Sequence, residues 1–138
     1  MCSPRASSRI VNFYNKWNQA TEYTNQNWTN DDESWENFKA NILSVTNLRR
    51  IHFMGGETLM TNRLEQFIDF FIEQKKFDVC FSFVTNGTIY NESLVQKFKL
   101  FERVGIEVSI ETVDSHNEYQ RQGTDTSIVL DNIERYLR

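Results

Sequence analysis

The stretch Ile51-His-Phe-Met-Gly-Gly-Glu-Thr-Leu59 decides how this chain is read. A short apolar run, IHF, ends at Gly55 and Gly56, with Glu57 next and a helical pattern beyond. Glycine admits backbone conformations closed to other residues and lets a ligand or a second chain segment come close. A strand that stops on such a turn and passes into a helix is the first half of a βα unit.

The pattern then repeats. Arg49 to Met54 predicts a strand, and residues 62–75 predict a helix, with Leu64, Phe67, Ile68, Phe71 and Ile72 on one stripe. Asn62 and Glu65 have the spacing of a capping box. Val79 to Thr85 predicts a second strand, closed by Asn86-Gly87. Asn91 opens a helix with Leu94, Phe98 and Phe101 inward, ending near Gly105. Ile106 to Glu111 predicts a third strand, the polar loop TVDSHNEYQRQGTD follows, and residues 126–137 form a last helix with Val129, Ile133 and Leu137 inward. Strands alternating with helices imply a parallel sheet with crossover connections.

Upstream, Ile10, Phe13, Tyr14 and Trp17 have helical spacing within residues 8–23. Residues 24–32 read as a loop. Asn30 with Glu33 suggests a capping box for a helix from Asp32 to Val45 that carries Trp35, Phe38, Ile42 and Val45 on one face.

Composition bounds the function. The chain has 138 residues, enough for one domain, with 11 Phe, 5 Tyr and 3 Trp. Its net charge of −4 argues against a nucleic-acid partner, which would meet a basic patch. No apolar run reaches the roughly 18 residues of a membrane span, and MCSPRASSR has no apolar core of a secretory signal. The Asn-x-Ser/Thr matches at Asn27, Asn86 and Asn91 therefore read as chance. Two cysteines, Cys2 and Cys80, do not form a disulfide framework, so a reducing cytoplasm is expected.

In parallel α/β sheets, ligands bind beyond the carboxyl ends of the strands. Here those ends are Gly55-Gly56-Glu57, Thr85-Asn86-Gly87 and Glu111-Thr112, all polar or glycine-rich. Taken alone, Gly55-Gly56-Glu57 reads first as a tight turn with an acid near a helix. Glu107, Ser109 and Glu111 alternate with Ile106, Val108 and Ile110. That row is either the polar lining of a cavity or the wet face of an edge strand. Cys80 reads as a buried thiol, and His52 as a structural histidine. Arg121 reads either as a clamp for a carboxylate or as a solvated loop residue.

The order Cys2 before Ser-Pro-Arg, a helix, IHFMGGETL, FSFVTNGT, VSIE, and a loop with His116 and Arg121-x-Gly resembles the radical SAM superfamily, most of all its compact twitch-type members. The resemblance implies an α/β fold, a partial open (β/α) barrel with parallel strands and outer helices, with residues 1–138 forming a single partial core domain. It implies two cofactors, a 4Fe–4S cluster and S-adenosylmethionine, and hydrogen abstraction by a 5′-deoxyadenosyl radical. Cys2 matches the third cysteine of the family's cluster loop. Gly55, Gly56 and Glu57 match the segment that receives the methionine ammonium. Thr85 and Asn86 match the strand end facing the cofactor, Ser109 and Glu111 the polar positions near ribose and methionine, and Arg121 the basic residue at the carboxylate. An electron donor and a substrate of unknown class are the implied partners.

The first two cysteines of the family loop are absent, as is the strand before them. The chain thus reads as an internal piece of a larger enzyme, not expected to turn over or hold a stable cluster by itself. Two other expectations stand beside this one: a non-redox α/β binding or interaction module, and an inactive remnant.

Overall fold

The computed structural model describes residues 8–17 and 28–138. Cys2, residues 18–23 of the expected first helix and residues 24–27 of the expected loop lie outside them. The contacts divide the chain into two units, Met1–Asn47 and Leu48–Arg138.

The first unit holds helix α1, Ser8–Lys16, a 3-10 turn over Trp28–Asn30, and helix α2, Asp32–Leu43. The capping residue of α2 is Asp31, whose carboxylate accepts from the Ser34 amide at 2.8 Å. The capping box expected at Asn30 and Glu33 is displaced because the 3-10 turn absorbs Asn30. Trp35 is buried, with the rings of Trp28 and Phe38 at 6.1 and 5.8 Å. The helix stops short of Val45, which is exposed, since the Ser44 hydroxyl turns back to the Asn41 carbonyl at 2.7 Å.

In the second unit, strands β1, Arg50–Phe53, β2, Cys80–Thr85, and β3, Val104–Val108, form a parallel sheet in the order β1-β2-β3. Helix α3, Arg63–Glu73, links β1 to β2, and α4, Glu92–Phe98, links β2 to β3. The register sets Ile51 beside Phe81, Phe53 beside Phe83, and Phe83 beside Ile106. Successive side chains alternate across a sheet, so this row shares one face. Phe81 is wholly buried, edge-on to Phe71 at 5.1 Å and Phe101 at 4.9 Å. Each such ring pair contributes about 0.5–1.5 kcal/mol beyond the area it buries. The helical stripe read from Leu64, Phe67, Ile68 and Phe71 is this core.

Four local expectations fail for physical reasons. Asn62 makes no side-chain cap on α3. Glu65, its expected partner, instead accepts from Lys97 at 2.8 Å and Ser93 at 3.1 Å on α4. β3 starts two residues early, through Gly105. A Cβ there would lie 3.3 Å from the Ser82 Cβ, so this glycine permits close strand approach and does not end a helix. β3 also ends at Val108, because the Glu111 amide turns to the Asn117 side chain at 3.0 Å, and the alternation expected over residues 109–111 is lost. Cys80, at the start of β2, is only half-buried.

The polar loop after β3 contains a short helix, α5, His116–Gln120, ahead of α6, Thr126–Tyr136. Asp125 caps α6 by accepting from the Ser127 and Ile128 amides. Val129 is inward as expected. Leu137 is exposed, and the buried polar positions are Thr126 and Asn132. The sheet is open with three strands. No helix among the described residues is long and apolar enough to cross a membrane.

Candidate functional site

The carboxyl ends of β1 and β2 are bound together by one acid. After Phe53 the chain passes through exposed Met54, Gly55 and Gly56. Gly55 has φ of +142°, yet a Cβ there would meet nothing within 4 Å. The backbone conformation, not crowding, calls for glycine at this turn. Glu57 follows in extended conformation and caps the 3-10 turn over Thr58–Met60 by accepting from the Leu59 amide at 3.1 Å. The same carboxylate accepts from the Thr85 hydroxyl and the Asn86 amide, each at 2.7 Å. Thr58 adds a hydrogen bond to the Val84 carbonyl at 2.9 Å. The glycine loop is thus sewn to the end of β2.

Thr85 is buried and passes the tie onward. Its hydroxyl accepts from the Gly87 amide at 3.1 Å, and its carbonyl accepts from the Ser109 amide at 2.8 Å. Asn86 closes its own turn by accepting from the Thr88 amide at 2.9 Å and hydroxyl at 2.7 Å. Gly55, Gly56, Glu57, Thr85, Asn86 and Ser109, singled out in the sequence, therefore belong to one connected end of the sheet.

Glu111 and Arg121 form a second group past β3, with an ion pair of 2.7 Å. The Arg121 Nε is buried and has no hydrogen-bond partner among the described residues. Buried donors are nearly always satisfied, so this guanidinium nitrogen is an exception in the fold. Nearby, the Asp114 carboxylate accepts from the Thr112 hydroxyl and the His116 amide. These contacts, that of Thr112 foremost, hold its pKa below the ordinary carboxylate value.

Three residues that support this end were not singled out in the sequence. Asn117, buried, receives the Glu111 amide and donates to the Thr126 hydroxyl at 3.4 Å. Asn132, buried, donates to the Gly87 carbonyl at 2.9 Å. The Tyr136 hydroxyl donates to the Ile89 carbonyl at 2.9 Å, and its pKa is pushed up to about 12 by burial first and by the Glu57 charge second. The signal for Asn132 and Tyr136 was their place on the inward stripe of Val129, where a polar side chain needs a partner.

Exposed backbone at Gly55 and Gly56 faces solvent at one strand end, and Glu111 with Arg121 offers opposite charges past another. Glu57 does not take part directly, since its oxygens already serve three internal donors. No group of three metal-binding side chains occurs among the described residues. Cys80 opens β2, at the end of that strand opposite Thr85.

The fold and its strand ends thus define a parallel α/β sheet with a polar carboxyl edge. Comparisons with protein-family models, curated proteins and solved structures found no match.

Proposed function

We propose that this chain is part of a radical SAM-type core, a partial open barrel whose strand ends bind S-adenosylmethionine. The observation that carries the reading is the joined carboxyl edge, where Glu57 holds the Gly55-Gly56 loop against Thr85 and Asn86. Arg121, the cation beside Glu111 past β3, is the group for the methionine carboxylate, and the exposed backbone at Gly55 and Gly56 is the dock for the ammonium. Ser109 and Glu111 complete the polar wall. A 4Fe–4S cluster is a different matter. The described residues do not fit it, because they offer no thiolate grouping, and Cys80 sits at the wrong end of its strand. The cluster enters the proposal only through Cys2. An electron donor, a substrate of unidentified class and a reducing cytoplasmic setting belong to the same proposal.

Calorimetry of the iron-free protein with S-adenosylmethionine tests the reading. Micromolar binding is expected, weakened about tenfold or more in Arg121→Met, as suits one charge-assisted contact of about 1.5–3 kcal/mol. No binding, or equal binding by the variant, overturns it. Anaerobic reconstitution with iron and sulfide tests the cluster separately. Little stable iron is expected. About four irons per chain, lost in Cys2→Ala, would instead show a cluster held through Cys2.

A second reading, a non-redox interaction module, draws on the sheet order. β1 and β3 each have one edge unpaired among the described residues, and such edges accept a partner strand.

A further inference from the structure

The sheet face opposite the phenylalanine row carries a second polar group, one that the S-adenosylmethionine proposal does not use. Arg50 and His52 come from β1, Ser82 from β2 and Glu107 from β3, so each strand contributes. Ser82 is the floor, 1% exposed. Its hydroxyl accepts from Arg50 Nε at 3.0 Å and lies 2.7 Å from His52 Nδ1. The Ser82 oxygen has lone pairs enough to receive both side chains.

Glu107 is held differently. Its Oε1 is 3.6 Å from Arg50 Nη2 and 3.9 Å from His52 Nδ1, both longer than a hydrogen bond. The Arg50 and Glu107 side chains are 59% and 57% exposed. Such a pair is worth little and is easily displaced. The Arg50 Nη groups, aligned by a buried serine beside the imidazole, face a carboxylate that only partly satisfies them.

We infer that Arg50, His52 and Ser82 form a binding site for a small oxyanion, the phosphate or carboxylate group of a ligand, with Glu107 as its internal placeholder. Arginine binds both groups through paired N–H donors. Ser82 holds Arg50 by Nε, which leaves the Nη groups to the ligand. Glu107 sets the affinity, because an arriving anion has to displace it and meets its repulsion.

The test follows the backbone amides of the strands and the His52 ring by NMR during titration with inorganic phosphate, then with acetate, at fixed pH and ionic strength. Saturable shifts centred on residues 50, 52 and 82 are expected. A response to phosphate alone assigns a phosphorylated ligand, and a response to both assigns oxyanions in general. Glu107→Gln should bind about fivefold more tightly, since one repelling charge about 4 Å away is removed. Arg50→Gln should abolish the shifts. The two variants move in opposite directions, so a general loss of structure cannot imitate the result. Unsaturable shifts in Glu107→Gln, or shifts that survive Arg50→Gln, overturn the inference. S-adenosylmethionine is absent throughout, so the outcome is independent of the strand-end site.

Discussion

Replacing Glu57 with Gln keeps the shape of the side chain and removes its capacity to accept at both ends. The carboxylate serves the Leu59 amide and the Thr85 hydroxyl through Oε1 and the Asn86 amide through Oε2. A carboxamide oxygen placed at the first two leaves its NH2 group facing the Asn86 N–H, donor against donor. Flipping the amide serves Asn86 and abandons the Leu59 amide. Either way at least one charge-assisted bond is lost, worth about 1.5–3 kcal/mol, and the site is only part-buried. We expect a destabilisation of about 2 kcal/mol in Glu57→Gln and more in Glu57→Ala. Urea unfolding at neutral pH measures it, and hydrogen exchange at Asn86 localises it, because that amide should exchange faster than its neighbours on β2. A change below about 0.5 kcal/mol, the range of an ordinary surface substitution, with unchanged exchange at Asn86, would refute the role of Glu57 as a latch.

Gly87→Ala should cost more. Its φ is +77°, and a Cβ would lie 2.8 Å from Val108 Cγ1 and 2.9 Å from Val129 Cγ1, so left-handed strain and overpacking add to about 2–5 kcal/mol in thermal or urea unfolding. The Glu65–Lys97 contact makes stability pH-dependent. Lys97, foremost, holds the Glu65 pKa below its ordinary 4.5, so the contribution is full above 4.5 and fades as pH falls through the lowered value. Burial opposes the Lys97 charge, but bonds to Asp69 and Glu65 outweigh it and raise its pKa above 10.5, so that contribution is full below 10.5 and fades as pH rises beyond. Urea midpoints of Lys97→Met against the unaltered chain should differ at pH 7 and converge near pH 3. Asn132→Ala should leave the Gly87 carbonyl unpaired at a buried site and cost about 1–3 kcal/mol, read from the same unfolding curves.

What was legible in the sequence is what depends on near neighbours. The stripe of Leu64, Phe67, Ile68 and Phe71 has the period of a helix and became the core. Strands ending at glycine or asparagine, joined by helices, became a parallel sheet in chain order. Asn91, with a helix behind it, caps α4 as expected by accepting from the Leu94 amide. The same signature failed at Asn62 because Glu65 finds a lysine on α4, and an ion pair with two further donors outweighs a local cap. Gly105 was misread for a similar reason. Glycine after a helix suggests its end, but here the constraint is Ser82 on the adjoining strand.

The strand ends show the same division between local and distant causes. Gly55, Glu57, Thr85 and Asn86 stood out in the sequence as a place where a ligand could sit. In the fold Glu57 spends its oxygens on residues 28 and 29 positions away, so the acid that looked like a ligand group is a fastening. That does not empty the site. A carboxylate that fixes the Gly55-Gly56 loop against β2 keeps exposed backbone in one conformation, and a preorganised donor or acceptor binds with less loss of entropy than a mobile one. The polar row on the opposite face follows the same logic. Alternation in Cys-Phe-Ser-Phe-Val shows that Ser82 points away from the phenylalanines, and only the register of three strands shows that it meets Arg50 and His52. Register is fixed here by the packing of Phe81 and Phe83 on the other face, since a slip of one residue would exchange the two faces. The apolar core and the polar cluster are therefore two consequences of one alignment, and a substitution that loosens Phe81 should disturb the Ser82 contacts as well.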